Sequence, residues 1–132
     1  MNYLLDTHTF LWALSSVDKL SKKAVETIKN PKNEIFVSAV TLWEISIKVR
    51  LNKLNLDTIH PDELINLAER MEFQLISLSP EEASSYYKLS EDTHSDPFDR
   101  MLIWQSISRN MTLISKDREF SKFSSYGLKF IW

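Results

Sequence analysis

Four acidic residues, Asp6, Glu44, Asp99 and Asp117, are spaced so that one folded edge could gather them. Hard divalent cations such as Mg2+ prefer oxygen ligands, commonly a few carboxylates together with waters. Carboxylates packed together repel one another unless a cation neutralises them. An acidic cluster with no lysine or arginine at its centre therefore reads as a metal site. A metal held there can activate water as a nucleophile and neutralise a phosphodiester as it is cleaved. Each acid also has a plainer reading. Asp96 and Asp99 could cap and polarise a helix N-terminus, worth about 1 kcal/mol. Glu44 could pair with Lys48 one turn on, a weak surface contact. Yet Leu42, Trp43, Ile45 and Ile47 make that helix apolar nearly all round, so Glu44 is expected to be half buried and in need of a partner. Asp6 and Asp117 could be turn residues. Any one plain reading is easy to accept; four at once on a ligand-binding edge are harder to accept.

The elements that must position these acids follow from apolar runs and proline placement. Short apolar runs at Met1–Leu5, Ile35–Ser38, Gln74–Leu78, Thr112–Ser115 and Lys129–Ile131 suit buried strands. Helical patterns cover Thr9–Ser15, Ser21–Lys29, Ala39–Asn52, Pro61–Met71, Pro80–Leu89 and Pro97–Asn110. Pro61, Pro80 and Pro97 mark first helical positions, with Ser79 and Asp96 as N-caps of the last two. Strands alternating with helices predict one α/β domain over residues 1–132, a three-layer α/β/α arrangement around a mostly parallel sheet of about five strands. In such a sheet the strand C-termini and the helix N-termini share one rim, where ligands bind. Asp6 follows the first strand and Asp117 the fourth. Glu44 and Asp99 lie near the starts of helices. All four fall on that rim, with Lys48, Arg50, Arg100, Lys116 and Arg118 as basic residues available to a phosphate backbone.

Composition narrows the chemistry further. A single glycine, Gly127, leaves no Gly-rich loop to cradle phosphates, which excludes Rossmann and P-loop nucleotide sites. The absence of cysteine removes disulfides, thiol nucleophiles and thiolate metal sites, and is compatible with the reducing cytoplasm, the expected location. No apolar run approaches the roughly 20 residues of a membrane span, and no basic segment precedes an apolar core as in a signal peptide. The net charge of −2 gives no general attraction for nucleic acid. A phosphate would be drawn in by bound metal and local basic residues instead.

Four blocks carry a family resemblance: Leu4-Leu5-Asp6-Thr7-His8, Ser38-Ala39-Val40-Thr41-Leu42-Trp43-Glu44-Ile45, His94-Ser95-Asp96-Pro97-Phe98-Asp99-Arg100 and Leu113-Ile114-Ser115-Lys116-Asp117. In this order the chain resembles a PIN-domain ribonuclease, specifically a VapC-type toxin of bacterial toxin–antitoxin pairs, in the Asp-Pro-Phe-Asp-Arg subgroup. The resemblance implies endonucleolytic RNA cleavage by metal-activated water, with Mg2+ as cofactor or Mn2+ in its place. It assigns Asp6, Glu44, Asp99 and Asp117 to the family's catalytic and metal-binding quartet. Thr7 and Ser115 match supporting hydroxyl positions, and Asp96 is an extra acid set behind the quartet. A homodimer and a cognate VapB-like antitoxin are further implications.

Rival readings fare worse. A zinc site using His8 and His94 lacks a paired-histidine motif; those side chains could contact phosphate, or orient an acid. Haloacid-type phosphatases need a second aspartate where this chain has His8. A receiver domain needs its phospho-acceptor after the third strand, where this chain has Leu78-Ser79-Pro80. The alternative from another class is a catalytically idle PIN-like module that binds a partner through the Trp- and Ile-rich helix beginning near Trp43.

Overall fold

Parallel pairing without exception organises the computed structural model, which describes all 132 residues. The strands are β1 (Asn2–Leu5), β2 (Glu34–Ser38), β3 (Gln74–Ile76), β4 (Thr112–Ile114) and β5 (Lys129–Ile131), in the spatial order β3-β2-β1-β4-β5. Central β1 pairs with β2 on one side (Tyr3 opposite Ile35) and with β4 on the other (Leu4 opposite Leu113). Six α-helices surround the sheet: α1 (Thr7–Ser15), α2 (Lys22–Lys29), α3 (Ala39–Arg50), α4 (Leu64–Arg70), α5 (Pro80–Ser85) and α6 (Pro97–Ser108).

Successive strand residues point to opposite faces, and the core divides accordingly. Leu5, Ile35, Val37 and Ile114 pack with Phe10 and Ala13 of α1, Ala24 of α2, Ile45 of α3, and Leu64 and Ala68 of α4. Leu4 and Leu113 pack with Leu102 and Ile103 of α6 and with Phe120 and Phe123. A sheet covered on both faces gives the three-layer α/β/α architecture. α3 feeds both clusters through Ile45 and Val40. Its apolar character nearly all round is thereby explained, except at Trp43, which is 61% exposed.

Ser79 and Asp96 cap helices as predicted, Ser21 and Ser38 are caps beyond those predicted, and helix ends differ for identifiable reasons. Ser21, Ser38, Ser79 and Asp96 each accept a backbone N–H at a helix start. The Pro80–Leu89 helix breaks after Ser85 into a 3-10 turn at Tyr86–Lys88; the Ser84 and Ser85 hydroxyls donate back to the Glu81 carbonyl, a local bond that competes with helix continuation. The Pro61–Met71 helix likewise opens with a 3-10 turn at Pro61–Glu63. β3 stops at Ile76, and the Ser77 carbonyl accepts from the Gln105 and Arg109 side chains. Residues Arg118–Tyr126, which carry no predicted element, form 3-10 turns closed by Gly127 at φ 101°, a left-handed position that suits glycine.

Strand order places the functional edge. From β1 through β2 to β3 the chain steps one way, and then it crosses back to place β4 on the far side of β1. The order therefore reverses between β1 and β4, and ligands of open parallel sheets bind in the crevice at such a reversal. A buried polar network braces the neighbouring edge. The Ser38 hydroxyl donates to Gln105 (2.6 Å), Gln105 donates to Glu82 (3.1 Å), and Arg109 pairs with Glu82 (2.7 Å). Burial opposes ionisation of Glu82, but hydrogen bonds from Arg109, the Ser79 N–H and Gln105 outweigh it and hold the carboxyl down at about 2. Because removing one partner strands the other in the interior, Arg109→Ala is expected to cost about 2 kcal/mol at neutral pH, measured by urea unfolding.

Candidate functional site

The crevice between β1 and β4 is walled by the residues that leave each strand. Asp6 ends β1, and its N–H donates to the Ile114 carbonyl (3.2 Å), extending the ladder by one residue. Its Oδ1 accepts from the Thr9 N–H (2.9 Å), so the same side chain caps α1. Only 7% exposed, Asp6 has its carboxyl pushed above the usual range by burial, against opposing hydrogen bonds from Ser115 and Thr9. Across the crevice, the Asp117 N–H donates to the Ser115 hydroxyl (3.1 Å), and Asp117 Oδ1 accepts from the Glu119 N–H (2.9 Å). Ser115 is fully buried, and it steadies acids on both walls.

The third wall is the start of α6. Asp96 caps the helix by accepting from the Asp99 N–H (2.9 Å), and this sets Asp99 in the first turn, facing the crevice. The Nε2 of His94 lies 3.0 Å from Asp99 Oδ2. Burial pushes Asp99 up to about 6; the His94 hydrogen bond opposes the shift, and the charges of Asp96 and Asp6 reinforce it. Donor atoms of His94, Asp99 and Asp117 all lie within 4.8 Å of one another, which is the spacing of ligands around one ion. His94 thus orients an acid, the role its position beside the acids allowed. Its ring is seated edge-on against Phe120 (5.4 Å) and Phe123 (6.1 Å).

Glu44 completes the acidic group from behind. It is 3% exposed, and both its oxygens are engaged: Thr7 donates to Oε1 (2.7 Å), and Lys48 forms an ion pair with Oε2. The hydrogen bond to Glu44 raises the Lys48 pKa, with the charges of Asp96 and Asp99 adding to it. The expectation of no basic residue at the centre is qualified here, since the partly exposed Lys48 reaches Glu44 at the margin of the cluster. The plain readings thus coexist with the clustered one: Asp96 does cap, Asp117 does close a turn, and Glu44 does pair with Lys48. In that pair Glu44 is buried and Lys48 reaches it from the surface. The excess of carboxylates remains, because Lys48 is matched to Glu44 while Asp6, Asp96, Asp99 and Asp117 share the rest of the space.

Arg100 requires a second correction. Expected to face an RNA backbone, it is 9% exposed and spends its guanidinium internally. Its Nε donates to the Tyr86 hydroxyl (2.6 Å), and its terminal nitrogens donate to the carbonyls of Leu89 (2.6 Å), His94 (3.0 Å) and Glu91. A planar fork of five donors is suited to such a task. Arg100 therefore fixes the 89–94 segment and, through it, the reach of His94 to Asp99. Sequence gave no sign of this, because the acceptors are backbone carbonyls. His8, Lys116, Arg118 and Arg50 are exposed. Of these, His8 and Lys116 line, with Asp6, Asp117 and Trp12, a cavity of about 260 Å3 opening from the crevice. Arg50 and Arg118 make no side-chain hydrogen bond or ion pair.

The donor set fits a hard divalent cation: carboxylate oxygens crowd a half-buried space, and two of the acids hold their protons more tightly than usual. A cation would reverse that penalty.

The family model for the PIN domain matches residues 3–125. No curated protein matches the chain in sequence. Solved structures of similar shape include VapBC2 from Rickettsia felis, bound to a DNA fragment from its promoter (18% identity, 99% of this chain and 98% of that one, TM-score 0.70). VapBC-1 from nontypeable Haemophilus influenzae is similar at 18% identity (99% and 97% covered, TM-score 0.68). VapBC-5 from Mycobacterium tuberculosis, described as a member of the VapBC family of toxin–antitoxin systems, is similar at 17% identity (98% and 97%, TM-score 0.60). At these identities the likeness is one of fold.

Two outcomes follow from the geometry. A carboxyl whose pKa is raised by folding, as at Asp99, favours the fold fully below its unfolded value of 3.8, and that contribution is lost as pH rises through about 6. In chelator at pH 7, Asp99→Asn should therefore melt higher than wild type, by on the order of 2 kcal/mol after allowing for partial exposure. The gap should close towards pH 4, and Mg2+ or Mn2+ should raise only the wild-type melting temperature. Arg100→Lys keeps the charge but cannot span four acceptors; a loss of about 2 kcal/mol is expected, with faster amide hydrogen exchange confined to residues 89–95.

Proposed function

The chain belongs to the PIN-domain family, and on that premise we propose that it is a divalent-metal-dependent endoribonuclease, the VapC-type toxin of a toxin–antitoxin pair. One observation carries the reading: three distant segments bring Asp6, Asp99 and Asp117 to the crevice where the strand order reverses. Asp99, Asp117 and Asp6 would hold Mg2+ or Mn2+, with Glu44 next to them and already engaged by Lys48 and Thr7. When bound, the ion supplies an acidified water and offsets charge on the scissile phosphodiester.

The chain's own residues do the rest. His94 holds one oxygen of Asp99 in place and leaves the other to the crevice. Ser115 fixes the backbone from which Asp117 projects. Thr7 ties α1 to α3, so that Asp6 and Glu44 keep a constant separation. Lys116, His8 and Arg118 are placed to meet a polyanion, and they supply the local attraction that a net charge of −2 does not. Residues 1–132 act as one domain in this reading. The similarity in fold to chains of VapBC complexes supports a VapB-like antitoxin as partner, and a homodimer as the working unit is part of the same proposal. No helix is long and apolar enough to cross a membrane.

The test is direct. Wild type and Asp99→Asn are incubated with total cellular RNA in Mn2+, in Mg2+ and in chelator, and the cut ends are sequenced. Wild type should cleave only with metal, and the variant should lose roughly 100-fold or more of the rate while remaining folded. Equal cleavage by both would remove Asp99 from the mechanism. Absence of cleavage by wild type, with antitoxin binding intact, would favour the idle module.

A further inference from the structure

The cavity beside the acids has an aromatic wall that the acidic chemistry does not use. Trp12 lies one turn beyond His8 on α1, and the two rings sit 5.7 Å apart at 40°. The ring of Trp132 packs edge-on against Trp12 from another side (5.9 Å, 61°) and stiffens it. The ammonium of Lys116 lies 5.8 Å from the centre of the Trp12 ring. His8 and Lys116 are exposed, whereas Trp12 is partly buried. The inner wall is formed by Asp6 and Asp117 themselves. Within about 260 Å3 the protein therefore presents a braced aromatic face, a cation and the mouth of the acidic crevice.

That combination selects a particular ligand chemistry. An anion alone would not need the indole, and an apolar ligand would not tolerate the flanking lysine and carboxylates. A nucleotide needs all three: a flat base to stack, a phosphate to meet an ammonium, and a neighbouring phosphodiester to enter the site. The cleft is shallow and open to solvent and smaller than the roughly 300–1,000 Å3 that drug-sized ligands occupy, so it suits one unit of a strand that continues beyond it. Bases offer a free face only where the strand is unpaired, and aromatic stacking is the common way to hold them.

We propose that Trp12, with His8 and Lys116, forms a subsite that stacks one unpaired RNA base and so sets the adjacent phosphodiester against Asp6 and Asp117. The inference rests on the ribonuclease reading and adds a residue and a substrate state to it. Trp12 is here a binding residue; it touches the strand and leaves the chemistry to the acids.

The test measures binding apart from cleavage. Full-length protein carrying Asp99→Asn is titrated with a single-stranded oligoribonucleotide of mixed sequence in chelator, where the proposed metal-dependent cleavage cannot proceed. Trp12→Leu preserves apolar bulk against Trp132 but removes the aromatic face; it should weaken binding roughly 5- to 100-fold. Trp12→Phe restores a ring and should recover most of that loss, which a purely structural role of Trp12 would not require. Lys116→Gln should weaken binding and lower the salt dependence by about one phosphate contact. Unchanged binding in folded Trp12→Leu would overturn the subsite, leaving the pocket to a protein partner. With Asp99 intact, active wild type and Trp12→Leu of equal kcat/KM and identical cut ends would overturn it while the nuclease stands. A wild type that neither binds nor cuts RNA would remove both readings.

Discussion

Repulsion between carboxylates in a half-buried space is the constraint around which this molecule is arranged. Asp6, Asp96, Asp99 and Asp117 meet at one edge with Glu44 behind them, and isolated ionised carboxylates are costly to keep from water. Each is therefore held by a local device. Asp6 and Asp96 accept backbone N–H groups at helix starts, Asp117 does so at a 3-10 turn, Glu44 is matched to Lys48, and Asp99 is braced by His94. These devices hold the acids together without abolishing the cost of burying them, which persists in the raised pKa of Asp6 and Asp99; at Asp99 the charges of Asp96 and Asp6 add to it. The residual excess of negative charge is what gives a divalent cation its purchase.

Much of this was legible in the sequence because it depends on local rules. Apolar runs bounded by polar turns located all five strands, and the Ser79-Pro80 and Asp96-Pro97 pairs located two helix starts. The parallel topology these imply puts Asp6, Glu44, Asp99 and Asp117 on one rim. The unread parts share a physical cause: they depend on which groups meet across the fold. Arg100 lies between Asp99 and Met101 in a helix start and looks like a surface base, but its partners are carbonyls of Leu89, Glu91 and His94, which no side-chain pattern encodes. Lys48 was visible one turn after Glu44, but whether that pair lies in water or inside depends on how deeply α3 is buried. Trp12 falls within the helix expected over Thr9–Ser15 with nothing in the sequence to single it out, and only the packing of Trp132 and the position of Lys116 distinguish it.

The corrections share a direction. Basic residues expected to reach outward are partly turned inward, where Arg100 shapes the loop that presents His94 and Lys48 offsets Glu44. These cations thus tune geometry and charge within the cluster, while His8, Lys116, Arg50 and Arg118 remain on the surface. For a chain of acidic overall charge, attraction for a polyanion would be confined to a small area near the crevice, since fields from scattered surface charges are screened within about 10 Å at ordinary salt.

The pairing of β1 with β4 has a consequence in time. Leu4 lies opposite Leu113, so the two strands that wall the crevice are separated by most of the chain. During synthesis at roughly 5–20 residues per second, the β1–β2 pairing and the α1 packing can be assembled many residues before β4 emerges. Asp6 therefore waits beside an open sheet edge until β4 docks and carries Asp117 across from it. The crevice thus stays incomplete until β4 has been made and has docked, however early the rest of the sheet assembles.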